Sequence, residues 1–136
     1  MKISKVLSKN DLGSTGGHQS GVVIPVRVAR SAFMPQLNDQ LINPRLVLML
    51  KDEANGVEYP VNFIYYNGKL HGTSTRNEYR LTGILPFLRD QSAQDGDFLV
   101  LERGADSGYR VSIIQSVPDH ADVIKITIDS WSTEGI

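Results

Sequence analysis

The chain contains no cysteine. Disulfides, Cys-ligated zinc, iron–sulfur clusters and a thiol nucleophile are excluded, and a reducing, intracellular setting is the default expectation. Long apolar runs are missing too. The longest, such as residues 46–50, fall far short of the roughly 20 residues that span a bilayer. Residues 1–9 alternate polar and apolar positions and carry three Lys, without the apolar stretch a signal peptide needs, so neither a leader nor a membrane span is expected. Histidine is scarce: His18, His71 and His120 have no close spacing and form no His-x-x-x-His pair on an expected helix. No metal and no cofactor are therefore expected.

What is present describes one domain. The 136 residues, 40% hydrophobic and 21% charged, suit a single core, and twelve Gly with six Pro favour many short elements joined by turns over a helical bundle. The net charge of −1 conceals a division: residues 1–80 hold ten Lys or Arg against six Asp or Glu, and residues 81–136 hold four against nine. Such a split suits an anionic partner on one side, or equally a solvated surface with segregated charge.

Residues 9–21 are turn formers almost free of core residues and read as a loop. Val22–Ile24 follow as a short buried strand, and Pro25 opens a two-turn helix carrying Val28, Ala29, Ala32 and Phe33. Residues 46–51 read as a buried strand, paired through a turn at residues 53–56 with a strand over 57–66. Asn67-Gly68 is the dipeptide of tight primed turns, so the chain is expected to reverse there and return as a strand over 71–81. A short amphipathic helix over 83–90 and a turn at Asp95-Gly96-Asp97 precede strands over 98–102, 109–116 and 123–128. Seven short strands with two small helices describe a mainly β, open antiparallel barrel, and residues 130–136 read as a polar tail.

Enzyme motifs fail on their spacing. The Gly-rich stretch 13–21 lacks the Lys of a phosphate loop, and Gly17-His18-Gln19-Ser20-Gly21 sets its Ser one position late for a nucleophile elbow. Pro118-Asp119 could begin a nuclease motif, but Val123 stands where the carboxylate before Lys125 would be required. A non-catalytic chain is expected.

The segment 69–80 carries the most chemistry. Arg76 and Arg80 can fork onto guanine O6 and N7, Asn77 can pair with adenine, and Glu78 can accept from cytosine N4. Lys69, Thr73, Ser74 and Thr75 suit phosphate oxygens, which set register without reading sequence. The plainer alternative is a solvated strand with an Arg–Glu ion pair.

Further residues carry a resemblance. Ser8-Lys9-Asn10-Asp11, Thr15-Gly16-Gly17-His18-Gln19, Ile24-Pro25, Asn43-Pro44, Ile64-Tyr65-Tyr66-Asn67 and Thr75-Arg76-Asn77-Glu78 with Arg80 closely resemble the amino-terminal effector domains of EcoRII-type restriction endonucleases. Ile24-Pro25 with Ala29 and Phe33, and Leu81-Thr82 through Phe87 to Gly96-Asp97, are similar to motifs of the plant B-three transcription-factor domains. The resemblance implies a seven-stranded open pseudobarrel filling residues 1–136, which grips the DNA major groove between an N-arm at 8–19 and a C-arm at 69–80. It implies double-stranded DNA as partner, a CCWGG-type site, a bacterial or archaeal cytoplasm, and a separate nuclease domain joined through residues 130–136. The DNA-binding residues it implies are Lys9, Asn10, Asp11, Ser14, Thr15, Gly16, Gly17, His18 and Gln19 on the N-arm. On the C-arm they are Lys69, Thr73, Ser74, Thr75, Arg76, Asn77, Glu78, Tyr79 and Arg80. Thr73-Ser74-Thr75 departs from the Lys-Thr pair of the family, so one C-arm contact is expected to differ. The alternatives are a protein-interaction or regulatory barrel that ignores DNA sequence, and a small metal-independent hydrolase.

Overall fold

Eight strands, rather than seven, are found among the described residues, and they form one curled sheet. A computed structural model of the chain describes residues 1–13, 21–106, 108–116 and 131–134. The strands are β1 (Lys2–Val6), β2 (Val22–Ile24), β3 (Arg45–Asp52), β4 (Glu58–Tyr66), β5 (Glu78–Thr82), β6 (Phe98–Arg103), β7 (Tyr109–Ile114) and β8 (Trp131–Glu134). Their order across the sheet is β2-β5-β4-β3-β7-β6-β1-β8. Short helical turns α1 (Val26–Ala29), α2 (Gly68–His71) and α3 (Leu85–Asp90) connect them. The strand expected over 123–128 lies outside the described residues.

The differences from the sequence reading have local causes. β1 pairs with β6 and β8, so the N-terminal strand joins the C-terminal half of the sheet and the two charge halves are not two sides of the molecule. The expected polar tail contains β8, whose Trp131 is buried in the core. β3 and β7 run parallel, so the sheet is mixed rather than purely antiparallel. The helix after Pro25 is one turn, with Pro25 as its N-cap, because Arg30 already leaves helical geometry. Residues 46–51 are not a buried strand: β3 buries Leu50 and Asp52, while Val47 is 64% exposed on the outer side.

Alternation places Ile3, Val22, Ile24, Val61, Phe63, Tyr65, Tyr79, Leu81, Leu99, Leu101 and Val111 on the inner side, where they meet Phe33 and the α3 residues Phe87 and Leu88. The outermost strands meet where Trp131 Nε1 donates to the Val23 carbonyl at 3.1 Å. That bond ties β8 to β2 and curls the sheet toward closure.

Candidate nucleic-acid interface

The turn expected at Asn67-Gly68 is instead the start of α2, and the return strand begins at Glu78, not His71. Between them the C-arm folds on its own backbone. Gly68 O accepts from Thr73 N at 2.8 Å and Ser74 N at 3.3 Å, and Lys69 N donates to Arg76 O at 2.9 Å. Lys69, Thr73, Ser74, Thr75, Arg76 and Asn77 are exposed along this loop.

Asn67 explains the departure from a primed turn, which requires positive φ. Its φ is −114°, and it is fully buried. Its Nδ2 donates to Leu41 O at 2.8 Å and Asp39 O at 3.2 Å, its Oδ1 accepts from Asn43 N at 2.8 Å, and its own N–H donates to Asn43 Oδ1 at 3.2 Å. The loop over 38–43 is thereby latched to the base of the C-arm.

Across β2, β5, β4 and β3, the register sets Val23, Arg80, Ile64 and Arg45 opposite one another, with Glu78 beside Tyr66 in the next row. Opposed residues share a face, so this row lies on the outer side of the sheet beside the C-arm. Glu78 binds both flanking arginines: Arg76 Nη2 donates to Oε1 at 2.8 Å, Arg80 Nε to Oε1 at 3.0 Å, and Arg80 Nη2 to Oε2 at 3.3 Å. The Arg–Glu pairing posed as the plainer alternative is thus present, and it divides the two arginines. Arg76 lies over the Tyr66 ring, 3.7 Å from its centroid, with its side chain 42% exposed. Arg80 has a side chain only 17% exposed, and its Nη1 donates to Gly21 O at 3.1 Å. Arg76 is presented outward, whereas Arg80 ties the C-arm strand to Gly21, the residue before β2.

Partial burial pushes the Glu78 carboxyl up, but hydrogen bonds from Arg80 and Arg76 outweigh it and hold the group below its usual 4.5. A carboxyl depressed on folding stabilises above its unfolded value and loses that contribution as pH falls through its folded value. Glu78→Gln should therefore lower the melting temperature between about pH 6 and 8, and the gap from the parent should close below about pH 4.5. A constant gap across that range would show that the carboxylate charge is not what holds the triad.

Tyr79, expected among the DNA contacts, is buried by the structure beneath the C-arm. It is 6% exposed, with its ring stacked on Tyr65 at 4.2 Å and 8° and on Phe63 at 5.7 Å. Arg30, which the sequence reading passed over, covers this pair: its guanidinium carbon lies 5.9 Å from the Tyr79 centroid and 6.0 Å from that of Tyr65, and Nε donates to the Tyr79 hydroxyl at 3.2 Å. The Tyr65 hydroxyl donates to Asn77 Oδ1 at 2.7 Å.

On the N-arm, Ser14, Thr15, Gly16, Gly17, His18 and Gln19 lie outside the described residues. Asp11, likewise expected among the DNA contacts, is buried, accepts from Lys5 Nζ at 2.6 Å and Ser8 N at 3.0 Å, and so braces residues 5–11. Lys9 and Asn10 remain exposed beside it. Among the described residues, no three His, Asp or Glu side chains are grouped as a metal site requires, and no helix is long and apolar enough to cross a membrane.

The curled sheet recurs in solved structures. An Arabidopsis FUS3–DNA complex has a TM-score of 0.65 at 16% identity over 84% of this chain and 96% of that one. The N-terminal domain of Helicobacter pylori LlaJI.R1 gives 0.58 at 12% identity over 97% and 96%. The B3 domain of the UbaLAI restriction endonuclease, solved with cognate DNA, gives 0.52 at 19% identity over 91% and 74%. The fold is that of the B3-type domains: mainly β, a curled open sheet with few helices. Residues 1–128 match the family described as "Restriction endonuclease EcoRII, N-terminal", and the chain belongs to that family. The type II restriction enzyme EcoRII of Escherichia coli is 37% identical over 79 residues, which are 57% of this chain and 19% of that enzyme. The match thus spans about a fifth of the relative's length.

Proposed function

We propose that this chain recognises a short double-stranded DNA sequence through the major groove, with the C-arm over 69–80 and the N-arm over 8–19, and performs no cleavage itself. Within an EcoRII-type restriction endonuclease it would be the specificity part, acting with a separate nuclease domain, on a CCWGG-type site. The observation that carries this reading is Arg76, held over Tyr66 and paired with Glu78 on an exposed arm. Arg76 is a guanidinium oriented before any ligand arrives, and a bidentate guanine contact needs that fixed fork. Lys9, Lys69 and the hydroxyls of Thr73, Ser74 and Thr75 would supply phosphate contacts around it.

The test is fluorescence anisotropy with CCWGG duplexes and their single-base variants at two salt concentrations. Binding should prefer one sequence and weaken steeply with salt as counterions are released. Arg76→Ala should lose about 1 to 3 kcal/mol on the preferred duplex and relax selection at one base pair. Equal binding of all duplexes by the parent chain would favour a protein-interaction barrel, and cleavage of plasmid by the pure chain with magnesium would refute the non-catalytic assignment.

A further inference from the structure

An asparagine amide offers an acceptor on one side and a donor on the other, and its neighbours decide which side faces outward. For Asn77 the neighbour is the Tyr65 hydroxyl, whose ring is stacked on Tyr79 and covered by Arg30. A guanidinium can only donate, so where Arg30 Nε meets the Tyr79 hydroxyl at 3.2 Å the phenol oxygen is the acceptor. The Arg30 pKa is raised, chiefly by its hydrogen bond to the Tyr79 hydroxyl. Arg30 also lies over both stacked rings, 5.9 Å from the Tyr79 centroid and 6.0 Å from that of Tyr65, and so holds the Tyr65 ring in place through the pair. The Tyr65 proton has a partner, Asn77 Oδ1 at 2.7 Å. The two rings are buried and stacked at 4.2 Å, which leaves the Tyr65 hydroxyl little freedom to seek another.

We propose that Tyr65, oriented by Arg30, fixes the polarity of Asn77, so that the amide enters the groove with its Nδ2 hydrogens foremost and selects an acceptor on the base edge. Arg30 and Tyr65 are then positioning residues for base selection, and Asn77 is the residue that reads. The base edge is one that presents an acceptor, such as guanine O6 or N7, thymine O4 or adenine N7, and the cytosine N4 amine is disfavoured. This differs from the two-point adenine contact expected of Asn77 by residue type, in which Oδ1 must also accept from adenine N6. It rests on the DNA-reading function proposed above, and it is tested separately from it.

The parent chain first selects its preferred duplex from a random-sequence pool, and anisotropy then compares that duplex with every single-base-pair variant. Asn77→Ala should lose discrimination at one base pair, and Tyr65→Phe, which keeps the ring and its stacking, should lose roughly 3- to 10-fold at that same pair, the range of one neutral hydrogen bond. The double variant should lose no more than Asn77→Ala alone. Asn77→Asp, which can still accept from Tyr65 but has no amide hydrogens, should behave as Asn77→Ala. Arg30→Met should weaken discrimination at that pair, and Arg30→Lys should restore part of it.

Parent-like discrimination by Tyr65→Phe, with Asn77→Ala defective, would overturn the relay and leave DNA reading standing. If Tyr65→Phe fails to fold, Asn77→Asp decides: full discrimination without amide hydrogens overturns the donor assignment. A loss in Arg30→Met equal on all duplexes would make Arg30 a phosphate contact and remove it from the relay. If neither Arg76→Ala nor Asn77→Ala changes any preference, the C-arm does not read DNA, and both proposals fall together.

Discussion

Asn67→Leu is expected to destabilise the chain by about 2 to 4 kcal/mol and to lower its melting temperature by roughly 10 °C. The side chains are similar in size, so the loss is polar. Leucine leaves Asn43 N, Leu41 O and Asp39 O without the partners that Asn67 supplies. Each stranded group costs about 1 to 3 kcal/mol when water cannot replace the partner, and the exposed flanks of the 38–43 loop let water recover part of that. DNA affinity should fall further than the unfolded fraction accounts for, because the loop and the C-arm share this latch. Asn38→Ala is the control: Asn38 is exposed and its Oδ1 serves only the nearby Gln40 N, at 3.1 Å, so its loss should cost under about 1 kcal/mol. Thermal melts of the two variants decide the matter. An Asn67→Leu melt within 2 °C of the parent would mean that the latch contributes little and the C-arm stands on its own backbone bonds.

How much of this was legible in the sequence depends on how far away the deciding partner lies. β2, β4, β6, β7 and α3 sit close to where apolar alternation and turn residues place them, since those signals are local. β8 offers only Trp131 as an apolar anchor in a polar stretch, and β1 finds its partners at residues 98–102 and 131–134, so neither stands out by pattern alone. β3 is apolar throughout, yet apolar composition cannot say which face is covered, and nothing among the described residues packs over Val47. Asn67-Gly68 carries a strong local turn signal, overridden by four hydrogen bonds to a loop some 25 residues earlier.

The C-arm shows the same division. The residues proposed to read were identifiable by type, because base edges are recognised by particular side chains. The separation of Arg76 from Arg80 was not, because it turns on Gly21 O, 59 residues from Arg80. Arg30 and Tyr65 were invisible as a pair for the same reason: the stacked tyrosines that join Arg30 to Asn77 exist only once β4 and β5 are aligned.

The largest single effect is expected of Gly21→Ala, a loss of about 3 kcal/mol or more together with most of the DNA affinity. Gly21 stands immediately before β2 at φ +86°, and a Cβ there would stand 1.9 Å from Leu81 O and 2.8 Å from the Thr82 Cα. These are backbone atoms of β5, which is held on one side by β4 and on the other by β2, so they cannot step aside. Either β2 separates from β5, or residue 21 swings outward and carries its carbonyl away from Arg80. Both outcomes free the N-arm stem from the C-arm strand. Gly72→Ala isolates the backbone part of this effect, because Gly72 has φ +72° with no heavy atom near its would-be Cβ, and its cost should stay near 1 to 2 kcal/mol. Urea titrations of the two variants, with anisotropy on the preferred duplex, separate contact from conformation. If Gly21→Ala were no worse than Gly72→Ala in both stability and affinity, the two arms would be independent of each other, and Arg80 would be released from its bridging role to read DNA directly.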